Sequence, residues 1–237
     1  CYLKIDNIFC VSRLTREGSA TTVHALFLAN VNQNKNRKFI LVQLPEEIVP
    51  ENTSAGASRK VAENAIALLD GLHAPHNICE IGKERIRRAA KKVHEDNPTA
   101  KFDNGFRVLK LDDSNMNDVY YNPNDYTQGM LSMLESNVKS DRTDLDLLFG
   151  CLLEWGLPLS LPYSSETIDG CIVHNYNDGD LIACFDENIP DEVIKMIAKK
   201  QPLRAVFRDS SFASSPSKIN VAEIFKLMAP DTRVKVI

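Results

Sequence analysis

The sequence predicts an α/β fold: an open α/β sheet followed by a smaller α/β domain whose strands are mostly parallel. Two observations carry this. Apolar runs of strand length, such as Phe39-Ile40-Leu41-Val42, alternate with longer segments whose apolar residues recur at helical spacing. The composition, 237 residues with 43% hydrophobic and 25% charged, is that of a globular protein with material for one large core or two modest ones.

The elements follow in order. Residues 2–14 alternate loosely as a strand, and Val23, Ala25, Leu26 and Ala29 then take up helical spacing, with Ser19, Thr21 and Thr22 available as caps. Residues 38–44 read as a buried strand of a parallel sheet, ended by Pro45. Helices are predicted over 58–72 and 77–93 and a strand over 106–111, which completes strand, helix, strand, helix, strand. The Asp- and Asn-rich stretch from 112 to 125 suggests a boundary, giving a first domain over 1–112, a linker with a helix (127–138) over 113–143, and a second domain over 144–237. In that domain a helix over 145–155 precedes a hairpin turning at Asp169-Gly170. Strands over 181–185, 203–207 and 233–237 alternate with helices over 191–199 and 221–228, and that alternation predicts parallel pairing.

Several function classes drop out. No apolar run approaches the roughly 18 to 20 residues of a membrane span. A net charge of -4 excludes nucleic-acid binding by bulk charge and leaves only a local basic patch. The cysteines (Cys1, Cys10, Cys79, Cys151, Cys171, Cys184) form no Cys-x-x-Cys pair and read as buried thiols of a reducing cytosol, which predicts a cytoplasmic protein without a metal centre. The histidines show no zinc spacing, the serines no nucleophile elbow, and Asn177-Asp178-Gly179-Asp180 lacks the ligand pattern of a calcium loop. A first residue that is Cys, beside an apolar run, suggests a chain cut from something longer.

Three features could carry chemistry. A small-residue turn around Gly18 between strand and helix would offer backbone N–H groups and a helix dipole to a carboxylate or phosphate, although one glycine is equally the mark of an ordinary capped helix. Gln43 and Glu46, at the end of the next strand, follow that turn at close to the roughly 20-residue offset of a ribose-binding group. Lys83, Arg87, Arg88, Lys91 and Lys92 crowd one helix, as a phosphate-contacting face or a solvated one.

Beyond these single features, ordered blocks of sequence resemble a known family. Gly18-Ser19-Ala20-Thr21-Thr22-Val23-His24-Ala25, then NRKFILVQLPE at 36–46 and ICEIGKERIRRA at 78–89, resemble the modification (Mod) subunit of type III restriction–modification systems. FRVLKLD at 106–112, ACFDENI at 183–189, VFRD at 206–209 and KINV at 218–221 resemble its C-terminal region. That family consists of S-adenosyl-L-methionine-dependent DNA adenine N6-methyltransferases.

The resemblance implies a partial Rossmann-like methyltransferase sheet, with Gly18, Ser19, Thr21, Thr22, Gln43 and Glu46 binding the cofactor. It implies DNA and the restriction (Res) subunit as partners, and a homodimer as an assembly state. The family's catalytic Asp-Pro-Pro-Tyr tetrad precedes its cofactor motif; this sequence has no Pro-Pro pair, and Asn122-Pro123-Asn124-Asp125-Tyr126 is only an echo of it. Where the family has Asp-Phe-Phe-Ser before the glycine, Leu14-Thr15-Arg16-Glu17 stands here, a change that weakens docking of the methionine end. The expectation is thus a C-terminal fragment that does not methylate DNA alone. The alternative is a non-catalytic assembly module that dimerises or docks the restriction subunit through 144–237.

Overall fold

The computed structural model describes residues 3–5, 8–12, 20–117, 137–212 and 215–237, with backbone alone over 3–5, 8–12 and 215–217. The chain divides into two compact units, Cys1–Phe106 and Arg107–Ile237.

The first unit holds a three-stranded sheet. The strand expected over 2–14 is two strands, β1 (Leu3–Ile5) and β2 (Ile8–Ser12), paired antiparallel. From β2 the chain reaches α1 (Thr21–Gln33) and returns in β3 (Lys38–Val42), which pairs parallel with β2 so that Ser12 lies opposite Val42. Asn30, buried in α1, sets the return: its side-chain amide donates to the Arg37 carbonyl and its Oδ1 accepts from the Arg37 N–H, each at 3.0 Å.

Two helices follow, α2 (Ala57–Gly71) and α3 (Ile78–Asp96). The Asn77 side chain caps α3 by accepting the Glu80 N–H, as an N-cap asparagine does. Val23 and Phe27 of α1 meet Ile86, Ala89, Ala90 and Val93 of α3 in one core, with Phe39 and Phe102 against it.

Three expectations fail in this unit or at its border. The α1 cap is not Thr21 or Thr22, both of which lie inside the helix; Ala20 occupies the cap with a φ of 54° and makes no side-chain bond. β3 is parallel to β2 but not buried: Ile40 and Val42 are 52% and 65% exposed. Only Phe39 reaches the core, because α1 and α3 cover one face of the strand and no described element covers the other. No strand forms over 106–111, so the five-element alternation stops at three strands. That segment has no ladder partner; in the second unit the Arg107 guanidinium instead donates to the Leu159 and Leu161 carbonyls. The helix expected over 127–138 falls on residues largely outside those described.

The second unit is a five-stranded sheet in the order β4 to β8. After α4 (Asp144–Glu154), β4 (Tyr163–Ile168) turns through Asp169-Gly170 into β5 (Cys171–Tyr176), both turn residues having positive φ. This is the primed turn that suits a two-residue hairpin. β5 turns through Asn177–Asp180 into β6 (Leu181–Cys184), also antiparallel. Crossovers through α5 (Asp191–Lys199) and α6 (Ser215–Met228) then add β7 (Arg204–Phe207) and β8 (Arg233–Val236) in parallel.

The three strands predicted to pair parallel do so, yet the sheet is mixed: two of its four pairings are antiparallel. Connections of two and four residues cannot carry a chain back to start a parallel strand. α5 and α6 cover one face, against Val173, Ile182, Cys184, Ala205 and Phe207. α4 covers the other, against Tyr176, Leu181, Ala183, Phe185 and Val206. Thr143 caps α4 in a reciprocal box with Asp146. At the far end of α4, Trp155 lies beneath the guanidinium of Arg204 and the ammonium of Lys235. Among the described residues no helix is long and apolar enough to cross a membrane.

Candidate functional site

In the first unit, parallel pairing puts the carboxyl ends of β2 and β3 side by side, the edge at which open α/β sheets receive ligands. Gly18 and Ser19 lie outside the described residues. Thr21 and Thr22 are exposed on the first turn of α1. The Thr21 hydroxyl accepts a hydrogen bond from Arg85 Nη1 at 2.8 Å. Gln43 is half-buried just past β3, with its amide folded onto the Leu44 carbonyl at 3.1 Å. Glu46 is exposed; its backbone carbonyl accepts the Ile78 N–H, and among the described residues its carboxylate has no hydrogen-bond or ion-pair partner.

α3 is the strut that joins these pieces. The Cys79 thiol points at the Leu44 carbonyl at 3.4 Å and the Gln43 carbonyl at 3.7 Å, while Arg85, further along α3, holds Thr21. At 1.5 Å of rise per residue the two anchor points stand about 9 Å apart along the helix. Burial raises the Cys79 thiol against the opposing pull of Lys83, which favours the S–H form that donates to these carbonyls.

Next to this edge lies a cleft of about 350 Å³ lined by Pro45, Glu47, Ile48, Pro75, His76 and Asn77. It is built by the chain after β3 pairing with the α2–α3 connection: Ile48 N–H donates to the His76 carbonyl at 2.9 Å, and Glu47 bridges Asn77. Neither Gln43 nor Glu46 lines the cleft, although their neighbours Pro45 and Glu47 do.

The basic face of α3 is largely neutralised on its own helix. Lys83 pairs with Glu80, Arg87 and Arg88 with Glu84, and Lys91 with Glu95. The outermost of these, Lys91–Glu95, is exposed, and such a pair is worth up to about 1 kcal/mol. The Asn177–Asp180 segment is a hairpin turn, with Gly179 N–H bonded to Asn175 Oδ1 at 2.9 Å.

Two clusters in the second unit escaped the reading of the sequence. On the α4 side of the sheet, buried His174 sits between the Tyr163 hydroxyl at 2.9 Å and Asp144 Oδ2 at 3.3 Å. On the opposite side Cys171, Cys184 and Asp186 converge. The available signal was the register of the β5–β6 hairpin, which the Asn177–Asp180 turn fixes by its position; residue spacing along the chain does not show it. No family model matches the chain, and no curated protein matches it significantly.

Proposed function

We propose that the chain is the C-terminal portion of a type III restriction–modification Mod subunit, a DNA adenine N6-methyltransferase, and that its first unit is the cofactor-binding part of a Rossmann-like methyltransferase sheet. One observation carries the reading. The β2–α1–β3 unit brings two parallel strand ends together at the segments that resemble the family's cofactor motif and its ribose-binding strand end. S-adenosyl-L-methionine would supply an electrophilic methyl group on a sulfonium, for transfer to the amino group of an adenine flipped out of the duplex.

The residues here position and orient. Gly18, Ser19, Thr21 and Thr22 would hold the amino-acid end at the N-terminus of α1, where the helix dipole favours a carboxylate. Gln43 and Glu46 would accept the ribose hydroxyls. The fit is good at Glu46, whose exposed carboxylate is uncommitted among the described residues, and tighter at Thr21, whose hydroxyl already has Arg85. The methyl acceptor is held elsewhere in such an enzyme, by a tetrad this sequence lacks. The partners proposed are DNA, the restriction subunit and a second copy of the chain, in the cytoplasm.

Calorimetric titration of S-adenosyl-L-methionine tests the reading. Weak binding, detectable below millimolar ligand, is expected, abolished by Gly18→Asp and weakened roughly tenfold by Glu46→Ala, about 1.4 kcal/mol, with no methyl transfer to DNA by this chain alone. No heat at near-millimolar ligand overturns the cofactor role and leaves an assembly module.

A further inference from the structure

Cys171, Cys184 and Asp186 meet at the end of the β5–β6 ladder, on the face covered by α5 and α6. The register explains the meeting. Val173 and Cys184 are the last pair of the ladder, and the same register carried two residues further brings Asp186 toward Cys171, where the Ile172 N–H still reaches the Asp186 carboxylate. Cys171 is 7% exposed, Cys184 is fully buried, and Asp186 is half-buried. The two sulfurs and one carboxylate oxygen all lie within 4.8 Å of one another, with Cys184 Sγ 3.7 Å from Asp186 Oδ2. The Ile172 N–H holds that same oxygen at 2.5 Å, so the carboxylate is fixed by backbone before anything binds.

The Cys184–Asp186 separation is that of two ligands on a tetrahedral ion. Around a tetrahedral ion with bonds of about 2.3 Å to sulfur and about 2.1 Å to oxygen, adjacent ligand atoms stand roughly 3.5 to 3.8 Å apart. A disulfide fits less well. Cys171 and Cys184 are diagonal neighbours, whose Cβ atoms in an antiparallel ladder stand well beyond the roughly 3.8 Å that a disulfide needs.

The nearby charges favour a cation. The charges bearing on both thiols are negative, and among the described residues neither Asp186 nor Asp169 has an ion-pair partner.

We propose that Cys171, Cys184 and Asp186 form a three-ligand site for a thiophilic divalent cation of the zinc class. Binding breaks two S–H bonds, releases both protons to solvent, and forms two metal–sulfur bonds and one metal–oxygen bond. The fourth position is left to water, on the half-exposed Asp186 side. The ion would clamp β5 to the segment that leaves β6 for α5, in place of the inert buried thiols that the cysteine spacing suggests.

The test is titration of the reduced full chain with Co²⁺, followed by Zn²⁺. Expected are one equivalent of cobalt with a thiolate-to-cobalt charge-transfer band and tetrahedral visible bands, and their loss as zinc displaces it. Cys171→Ser, Cys184→Ser and Asp186→Asn should each weaken binding at least about tenfold. Cys151→Ser, on the opposite face, and Cys79→Ser, in the first unit, should leave it unchanged. Should Cys184→Ser fail to fold, Asp186→Asn decides: with a native circular dichroism spectrum it must lose the thermal stabilisation that zinc gives the parent chain. Absence of a charge-transfer band at millimolar cobalt overturns the proposal, as does a band that survives Cys171→Ser and Asp186→Asn.

Discussion

β3 and β6 are both short apolar strands that pair parallel with a neighbour, and they meet opposite fates. Every residue of β6 is buried, Ile182 and Cys184 under α5 and α6, Leu181 and Ala183 under α4. In β3 only Phe39 is even half-buried. A parallel strand is apolar throughout because helices cover both its faces; the second unit supplies both layers and the described residues of the first supply one. Burial is thus a property of what lies above and below a strand, and the strand's own residues do not decide it.

The largest effect expected from this contrast is in the core of the second unit. Phe207 is fully buried and packs on Phe212 and Phe225 at ring separations of 5.8 and 6.0 Å. Phe207→Ala should cost about 3 to 5 kcal/mol in urea denaturation, while Ile40→Ala should stay within about 0.5 kcal/mol. An Ile40→Ala loss comparable to that of Phe207 would mean that β3 is covered in solution, and the contrast would collapse.

A smaller effect sits at the start of α4, a layer without a counterpart among the described residues of the first unit. Thr143→Ala should cost about 1 kcal/mol at neutral pH. The Thr143 N–H, and then its hydroxyl, hold the Asp146 carboxyl below its ordinary 3.8. A carboxyl depressed in the folded state stabilises the fold above its unfolded value, and that contribution fades as pH falls through the folded one. The gap between parent and variant should therefore narrow in melts below about pH 4; a gap that persists unchanged there would assign the cost to the bond from the Asp146 N–H to the Thr143 hydroxyl, which does not titrate, and not to the hydroxyl's bond to the carboxylate.

The smallest effect is on β3 itself. Val42→Lys should change stability by no more than about 0.5 kcal/mol and raise the concentration at which light scattering first detects association, because it places a charge on an uncovered edge.

Local chemistry made much of this fold legible. Asp169-Gly170 demands positive φ at two positions and so fixes a hairpin, and the apolar spacing of α2, α3 and α5 needs no tertiary knowledge. Partners were not legible. The run Phe106-Arg107-Val108-Leu109 has the composition of a strand and, among the described residues, no strand to pair with. Ala20 caps α1 in a left-handed conformation that no alanine advertises. At the candidate site Thr21 was readable as a first-turn hydroxyl, but not its bond to Arg85, 64 residues away. The Cys171–Cys184–Asp186 cluster depends on a ladder register, which one-dimensional spacing does not show.

The chain has a single tryptophan, and it belongs to the second unit. Trp155 carries two cations over its ring, Arg204 at the start of β7 and Lys235 in β8, at 5.7 and 5.8 Å. Under excitation selective for indole the molecule therefore emits from one of its units alone. Its emission reports the closure of α4 over the last strands of the sheet, and the first unit is optically silent beside it.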